Sequence, residues 1–339
     1  MKAWKYLLLF SIIFSLVSFT FYPVPATAAD SYPSKPIKWI VPYSPGGGYD
    51  VYSRAVAKYM PKHLPNDVPV VIINSPGAGG TVGVTKVYNS KPDGYTVGIM
   101  NSVGVAAASV LKDLGVKVAS LKFDATELTY IGVITQNIYT MMIAKNSRYQ
   151  SLEAIKQAPE VKFPNTGVGS TAWSHTVLTA DAMGINAKHI SGYPGMTQGR
   201  LSVLSGDTDA SLDTIGSNWT QIKSGELNPL FYVKNPKQYF PDAPDRPTAA
   251  ELGYPDLEKF CGFWRHVIAP PGVPADIAKI LEEALWNTIN DPEFVAWSNN
   301  TRRPLILPAK AQEARDVMIK LMGTYKEKAV VFKKAMAQQ

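Results

Sequence analysis

The chain reads as an α/β protein of two domains. Three observations predict this: apolar strand-like runs alternate with amphipathic helix-like runs, several of the strand-like runs end in glycine-rich turns, and the same layout restarts past residue 140. A length of 339 residues, 46% hydrophobic and 18% charged, leaves room for two cores.

At the amino end, Lys2 and Lys5 precede the apolar run from Leu7 to Phe21, and prolines and small residues follow as far as Ala29. The pattern predicts a secretory signal peptide over residues 1–29 and an exported, soluble mature chain. The apolar run is short for a membrane span, and no cysteine beside it could carry a lipid.

Ile37 to Val41 is the first predicted strand, and Ser44-Pro-Gly-Gly-Gly-Tyr-Asp50 follows it. Gly46, Gly47 and Gly48 allow positive φ and close approach of a ligand to the backbone. A helix from Asp50 to about Met60 would point free amides and its positive dipole end at the same spot, which suits a carboxylate or phosphate. A tight βα turn with no ligand would read the same way. Asp50 is placed to cap the helix, and Pro61 closes it. Val70 to Ile73 is expected to be a strand buried on both faces of a parallel sheet. Asn74 to Thr81 repeats the first loop, with Thr81 as cap of a helix through Val87. The strand Tyr95 to Met100 then ends at Asn101 and Ser102. Three strand ends would converge on the crevice where α/β proteins bind ligands. The glycines from Gly77 to Gly83 are too irregular for a dinucleotide fingerprint.

A second unit opens with the strand Thr140 to Ala144 and a helix capped by Ser151. Val161 to Phe163 is a strand, and Asn165 to Thr171 is a glycine loop opening a helix through about Met183. Gly169, Ser170 and Thr171 offer donors to an anion, though either hydroxyl residue would serve equally as an N-cap. Ser191 to Gly195 is a turn that brings Tyr193 near the crevice mouth. A helix to about Ser205 follows, then the strand Asp209 to Leu212 with Asp213 at its end. Helix Gly216 to Ser224, strand Asn228 to Val233 and a proline-rich surface connection from Asn235 to Pro247 come next. Gly262 to Ala269 reads as apolar and extended. The stripe Ile277, Ile280, Leu281, Ala284, Leu285 and Ile289 predicts a helix broken at Asp291-Pro292, and one long helix runs from about Ala309 to Ala337.

The formal charge of +7 falls to +5 without Lys2 and Lys5, and no basic block is interleaved with aromatics, so nucleic acid is not an expected partner. Cys261 is the lone cysteine, placed among Phe260, Phe263 and Trp264 as a buried thiol. His63, His175, His189 and His266 lack metal-ligand spacing, and Ser170 with His175 five residues on does not form a catalytic pair. No cofactor or metal is expected. These features describe clasping an anion, not chemistry upon it.

Several segments together resemble the solute receptors of tripartite tricarboxylate transporters, the Bug receptors: Tyr32-Pro-Ser-Lys-Pro-Ile37 and Val41 to Asp50, Asn74 to Gly80, Pro92-Asp-Gly-Tyr-Thr96, Gly167 to Ser170 with His175, Tyr193-Pro-Gly195, and Ala269 to Ala275. The resemblance implies a periplasmic-binding-protein fold of the second type, each domain a mixed sheet flanked by helices, joined by crossing hinge strands. Domain 1 would comprise residues 30–139 and 263–339, and domain 2 the insertion 140–262. It implies a non-enzymatic periplasmic receptor, expected to be a monomer, that delivers a small organic carboxylate, a di- or tricarboxylate or an aromatic acid, to a large and a small permease subunit; an exported α/β enzyme acting on a carboxylated substrate and a sensory receptor for one are the alternatives. The site would comprise Tyr43, Ser44, Gly47, Gly48, Tyr49, Asp50, Ala78, Gly79, Thr81, Asn101 and Ser102 from one domain. Gly169, Ser170, Thr171, His175, Tyr193 and Asp213 would come from the other. Tyr49, Ser75 and Pro194 depart from the family pattern. Tyr49 with Trp173 could line the pocket and favour an aromatic or bulky acid.

Overall fold

The computed structural model describes residues 32–116 and 121–337; the signal-peptide expectation falls on residues 1–29, outside them. The strands are β1 (Ile37–Val41), β2 (Val70–Asn74), β3 (Thr96–Asn101), β4 (Thr129–Gln136), β5 (Tyr139–Ala144), β6 (Val161–Pro164), β7 (Ala187–Ile190), β8 (Ala210–Thr214), β9 (Leu227–Tyr232), β10 (Trp264–Ala269) and β11 (Ala309–Lys310). The helices are α1 (Gly48–Tyr59), α2 (Thr81–Tyr88), α3 (Ser102–Asp113), α4 (Leu152–Gln157), α5 (Thr171–Met183), α6 (Met196–Ser205), α7 (Trp219–Lys223), α8 (Leu257–Phe260), α9 (Ala275–Ile289), α10 (Pro292–Asn300), α11 (Ala311–Glu327) and α12 (Ala329–Ala337).

A mixed sheet of six strands runs β11-β4-β10-β3-β1-β2, a second sheet runs β8-β5-β9, and β6 pairs with β7. β1 lies parallel to both β2 and β3, so their three carboxyl ends share one edge. β10 runs antiparallel between β3 and β4. Trp39 on β1 is fully buried and donates from Nε1 to Ser53 Oγ at 2.9 Å, which pins α1 to the sheet. β2 corrects the expectation of a doubly buried strand, because it is the sheet edge and Val71 is 45% exposed. Only Asn137 and Ile138 separate β4 in the first sheet from β5 in the second. Asn137 N–H donates to Phe263 O at 2.8 Å, so the outgoing and returning segments cross side by side.

One apolar cluster joins Met100 and Val103 with Trp173 and Val177 of α5 and with Met318, Leu321 and Tyr325 of α11. A second gathers Met142, Ile215, Leu227, Tyr232 and Phe240. Phe240, at 2% exposure, anchors the proline-rich connection that was expected only to cover the surface.

Between residues 102 and 136 the structure holds α3 and β4, neither of which periodicity picks out. α3 is buried almost all round, with Val103, Ala106, Ala107, Val110 and Leu111 inside, so it has no polar face to betray its period. Asp291-Pro292 does end α9, but it also starts α10: Asp291 Oδ1 accepts from the Glu293 and Phe294 amides while Pro292 takes the first helical position. The single long carboxyl-terminal helix is two, broken at Lys328. Among the described residues no helix is long and apolar enough to cross a membrane.

Candidate functional site

The first glycine loop is shaped by Asp50. The Gly46 amide donates to Asp50 Oδ2 at 2.9 Å, Arg54 Nε donates to the same oxygen at 2.9 Å, and Asn74 Nδ2 donates to Oδ1 at 2.9 Å. Burial opposes ionisation of this carboxyl, but the hydrogen bonds from Arg54, Gly46 and Asn74 and the Arg54 charge outweigh it and hold the group below its usual value. Gly46 takes φ +85° to make the turn, and Gly47 serves as N-cap of α1 without a side-chain bond. Asp50 therefore closes the loop back on itself and does not cap the helix, which leaves the first-turn amides at Gly48 and Tyr49 without intrahelical acceptors.

Those amides border a cavity of about 270 Å³. The starts of α5, at Thr171 and Ala172, and of α6, from Gly195 to Thr197, lie on the same cavity, so three helices of 12, 13 and 10 residues present their positive ends to it. Hydroxyl-bearing Ser44, Thr166, Thr197 and Ser217 add to the polar lining.

Its charge is carried by Arg200, Arg265 and Arg303, against the single carboxylate of Asp213. Arg265 is 2% exposed, with its guanidinium carbon 4.6 Å from the ring centre of Tyr49, 4.8 Å from Tyr52 and 5.0 Å from Phe263. Its Nη2 donates to Asn137 Oδ1 at 3.3 Å, while Nε and Nη1 are buried without a protein partner. Arg200 Nη1 donates to Ser217 O at 2.8 Å, and Arg303 Nη1 to Thr301 O at 3.0 Å. Burial depresses the Arg303 pKa, and the positive charges of Arg265 and Arg200 push the same way. Asp213 is raised above the usual carboxylate value by burial, offset by bonds from Asn218 Nδ2 at 2.9 Å and the Thr214 amide at 2.7 Å. Three guanidiniums against one carboxylate leave a surplus of two positive charges in a partly enclosed space.

Of the residues singled out in the sequence, Tyr43, Ser44, Gly47, Gly48, Tyr49, Asn101, Thr171 and Asp213 lie on this cavity. Thr171 Oγ1 donates to Asn101 Oδ1 at 2.5 Å, tying the start of α5 to the end of β3. Asp50 does not line it, being spent on the loop, and the second glycine loop is absent from its wall. Tyr43 explains that absence, because its hydroxyl donates to Gly79 O at 2.8 Å and accepts from Asn101 Nδ2 at 2.7 Å, laying the ring against Gly79 and Gly80. Thr81 is the first residue of α2 and not its cap, which is Gly80; its hydroxyl donates to Ala78 O. Ser102 Oγ donates to Trp264 O at 3.2 Å and is fully buried. Ser170 caps α5 by accepting from the Trp173 amide, and Gly169 packs on Leu111 and Ala108 of α3. His175 is fully buried with its ring edge-on to Tyr139 at 4.4 Å, and burial pulls its pKa down to about 3. Tyr193 stands outside the wall, where its amide donates to Asn165 O. Trp173 is also not a lining residue: it is fully buried and stacked on Phe332 at 5.6 Å.

The arginines were missed in the sequence. The available signal was Arg265 itself, one cation inside Trp264-Arg-His-Val-Ile-Ala269, a run that reads as apolar and extended. A charge in the middle of a buried strand needs a reason. Arg200 and Arg303 sit on ordinary polar stretches and gave no such signal.

Comparison with known proteins identifies the family and the fold. The family model of the tripartite tricarboxylate transporter family receptor, TctC, matches residues 52–321. A protein encoded in the TAR-I ttuE-ttuC' intergenic region of Agrobacterium vitis is 32% identical over 286 residues, 83% of this chain and 79% of its own. The periplasmic binding protein BugD is similar in structure, with a TM-score of 0.74 and 25% identity over 90% of this chain and 98% of its own. MatC from Rhodopseudomonas palustris, solved with bound malate, shares the fold at a TM-score of 0.76 and 21% identity over 89% of this chain and all of its own. The chain has a periplasmic-binding-protein fold and belongs to the receptor family of the tripartite tricarboxylate transporters.

Proposed function

We propose that this receptor captures a small organic carboxylate in the periplasm, in the cavity between the two sheets, and hands it unaltered to a membrane permease of one large and one small subunit. The observation that carries the reading is the surplus of two positive charges where three helix amino ends meet. Guanidiniums remain protonated at any ordinary pH, so the charged groups of this cavity hold anions better than they relay protons. The malate bound by MatC, a protein of the same fold, supports a carboxylate as the first compound to try. Two domains, 30–139 with 263–339 and 140–262, would close over it about the crossing at Asn137, acting as a monomer.

A thermal-shift screen of mono-, di- and tricarboxylates and aromatic acids on the mature chain tests this, since a compound bound only by the folded state raises Tm. The expected outcome is a rise with at least one carboxylate, recovered chemically unchanged. Conversion of the compound would move the protein among the enzymes, and a rise only with neutral compounds would refute the reading.

A further inference from the structure

With the second glycine loop shut away from the cavity, another group must face the anion across from the start of α1. We infer that Arg265 does so: its guanidinium and the first-turn amides of Gly48 and Tyr49 form one clamp for a carboxylate, replacing a clamp between two glycine loops. The inference rests on the cavity being the solute site.

Contact between the two halves of this clamp is direct. A Cβ built on Gly48 would come within 2.6 Å of Arg265 Nη2 and 2.8 Å of Ser217 Oγ, so the guanidinium lies against the helix start. No carboxylate lies within ion-pair distance of Arg265 among the described residues, and the oxygens of Asp213 are engaged by Thr214 and Asn218. With Asp213 acting on it only from beyond ion-pair distance, a guanidinium at 2% exposure is expensive to bury, and in a receptor the ligand supplies the acid in contact. The rings of Tyr49, Tyr52 and Phe263 hold the plane in place. Tyr49 is thereby used up, with Tyr43 stacked on it at 4.7 Å and the guanidinium over its ring, so it orients Arg265 and offers no open face to an aromatic acid. The second loop cannot take over in this arrangement, because Tyr43 covers it and Gly79 packs against the Ser170 backbone, where an added Cβ would find atoms at 3.3 and 3.4 Å.

The test is calorimetric titration of the mature chain with succinate, malate, citrate and benzoate, each beside an analogue with one carboxylate turned to amide. Wild type should prefer an acid over its amide by about tenfold or more. In Arg265→Gln that preference should fall to near unity, Arg265→Lys should restore part of it, and Thr81→Val should leave it as in wild type. If Arg265→Gln does not fold, Gly48→Ala, which displaces the guanidinium, should show the same loss. An undiminished preference in either variant overturns the clamp while leaving the receptor reading intact. A carboxylate that raises Tm in the wider screen replaces these four if none of them binds, and binding of no carboxylate at all by wild type overturns both.

Discussion

Gly48→Ala separates a role in holding the ligand from a role in holding the fold. Gly48 opens α1 with a helical backbone that alanine also adopts, so the substitution should favour the helix by up to about 1 kcal/mol. The new methyl, however, would stand 2.6 Å from Arg265 Nη2 and 2.8 Å from Ser217 Oγ. To reach ordinary contact near 3.4 Å the guanidinium must move by roughly 0.8 Å, taking its nitrogen away from the first-turn amides. Hydrogen bonds fall off steeply over such a distance, and losing one to a charged group costs about 1.5–3 kcal/mol, or roughly ten- to hundred-fold in Kd. Tm of the unliganded variant should lie within a few degrees of wild type, while calorimetry should show the weakened carboxylate affinity. Gly323→Ala, inside α11 and away from the cavity, is the control for the helix effect, because a Cβ there meets nothing within 4 Å. Wild-type affinity in Gly48→Ala would refute the idea that this glycine is set by Arg265.

Stability should fall as pH drops below 6.5. Burial lowers the pKa of His175 to about 3 and of His189 and His266 to about 4, so each contribution is complete above the unfolded value of 6.5 and is lost as pH falls toward those values. The slope is up to about 1.4 kcal/mol per unit for each histidine, and denaturant titrations of wild type and His266→Asn between pH 7 and 4.5 should show the variant with the shallower fall. Asp291→Ala should cost about 1–2 kcal/mol at neutral pH by removing the α10 cap. Lys62, the Glu293 amide and His63, against some burial, hold that carboxyl down at about 2, so the deficit should persist at pH 5 and shrink only as pH falls below the unfolded value of 3.8 toward 2. Cys261 is buried and its thiol pushed up to about 12, so it should resist a thiol reagent in the folded protein and react at once in denaturant.

The first glycine loop was legible because its information is local: strand, glycines and helix follow one another within 14 residues, from Ile37 to Asp50. The role of Asp50 was not, since an acid at a helix start caps the helix in most settings, and what diverts it is Asn74, 24 positions away, together with the Gly46 amide. The second loop repeats the first in sequence and so reads as its equal. Tyr43 decides otherwise, and nothing in Asn74 to Thr81 shows that a ring from the neighbouring strand end lies over it. Elements with two contrasting faces, such as α9, were readable, whereas α3, apolar on every side, was not.

The arginines make the same point about charge. Arg200, Arg265 and Arg303 come from α6, β10 and the turn after α10, each more than 140 residues beyond the glycine loop, and only the tertiary fold brings them to the cavity that Gly48 borders. β10 returns from the second sheet and inserts antiparallel beside β3, pairing Arg265 with Asn101. That register fixes the cation at the level of the strand ends, level with the loop that leaves β1. A shift of one residue would turn Arg265 to the opposite face of the sheet and bring Trp264 or His266 to the cavity instead. The anion site is therefore a property of strand order as much as of the glycine motif, and the residue at 265 should govern which charge the receptor accepts even though it lies outside every glycine loop.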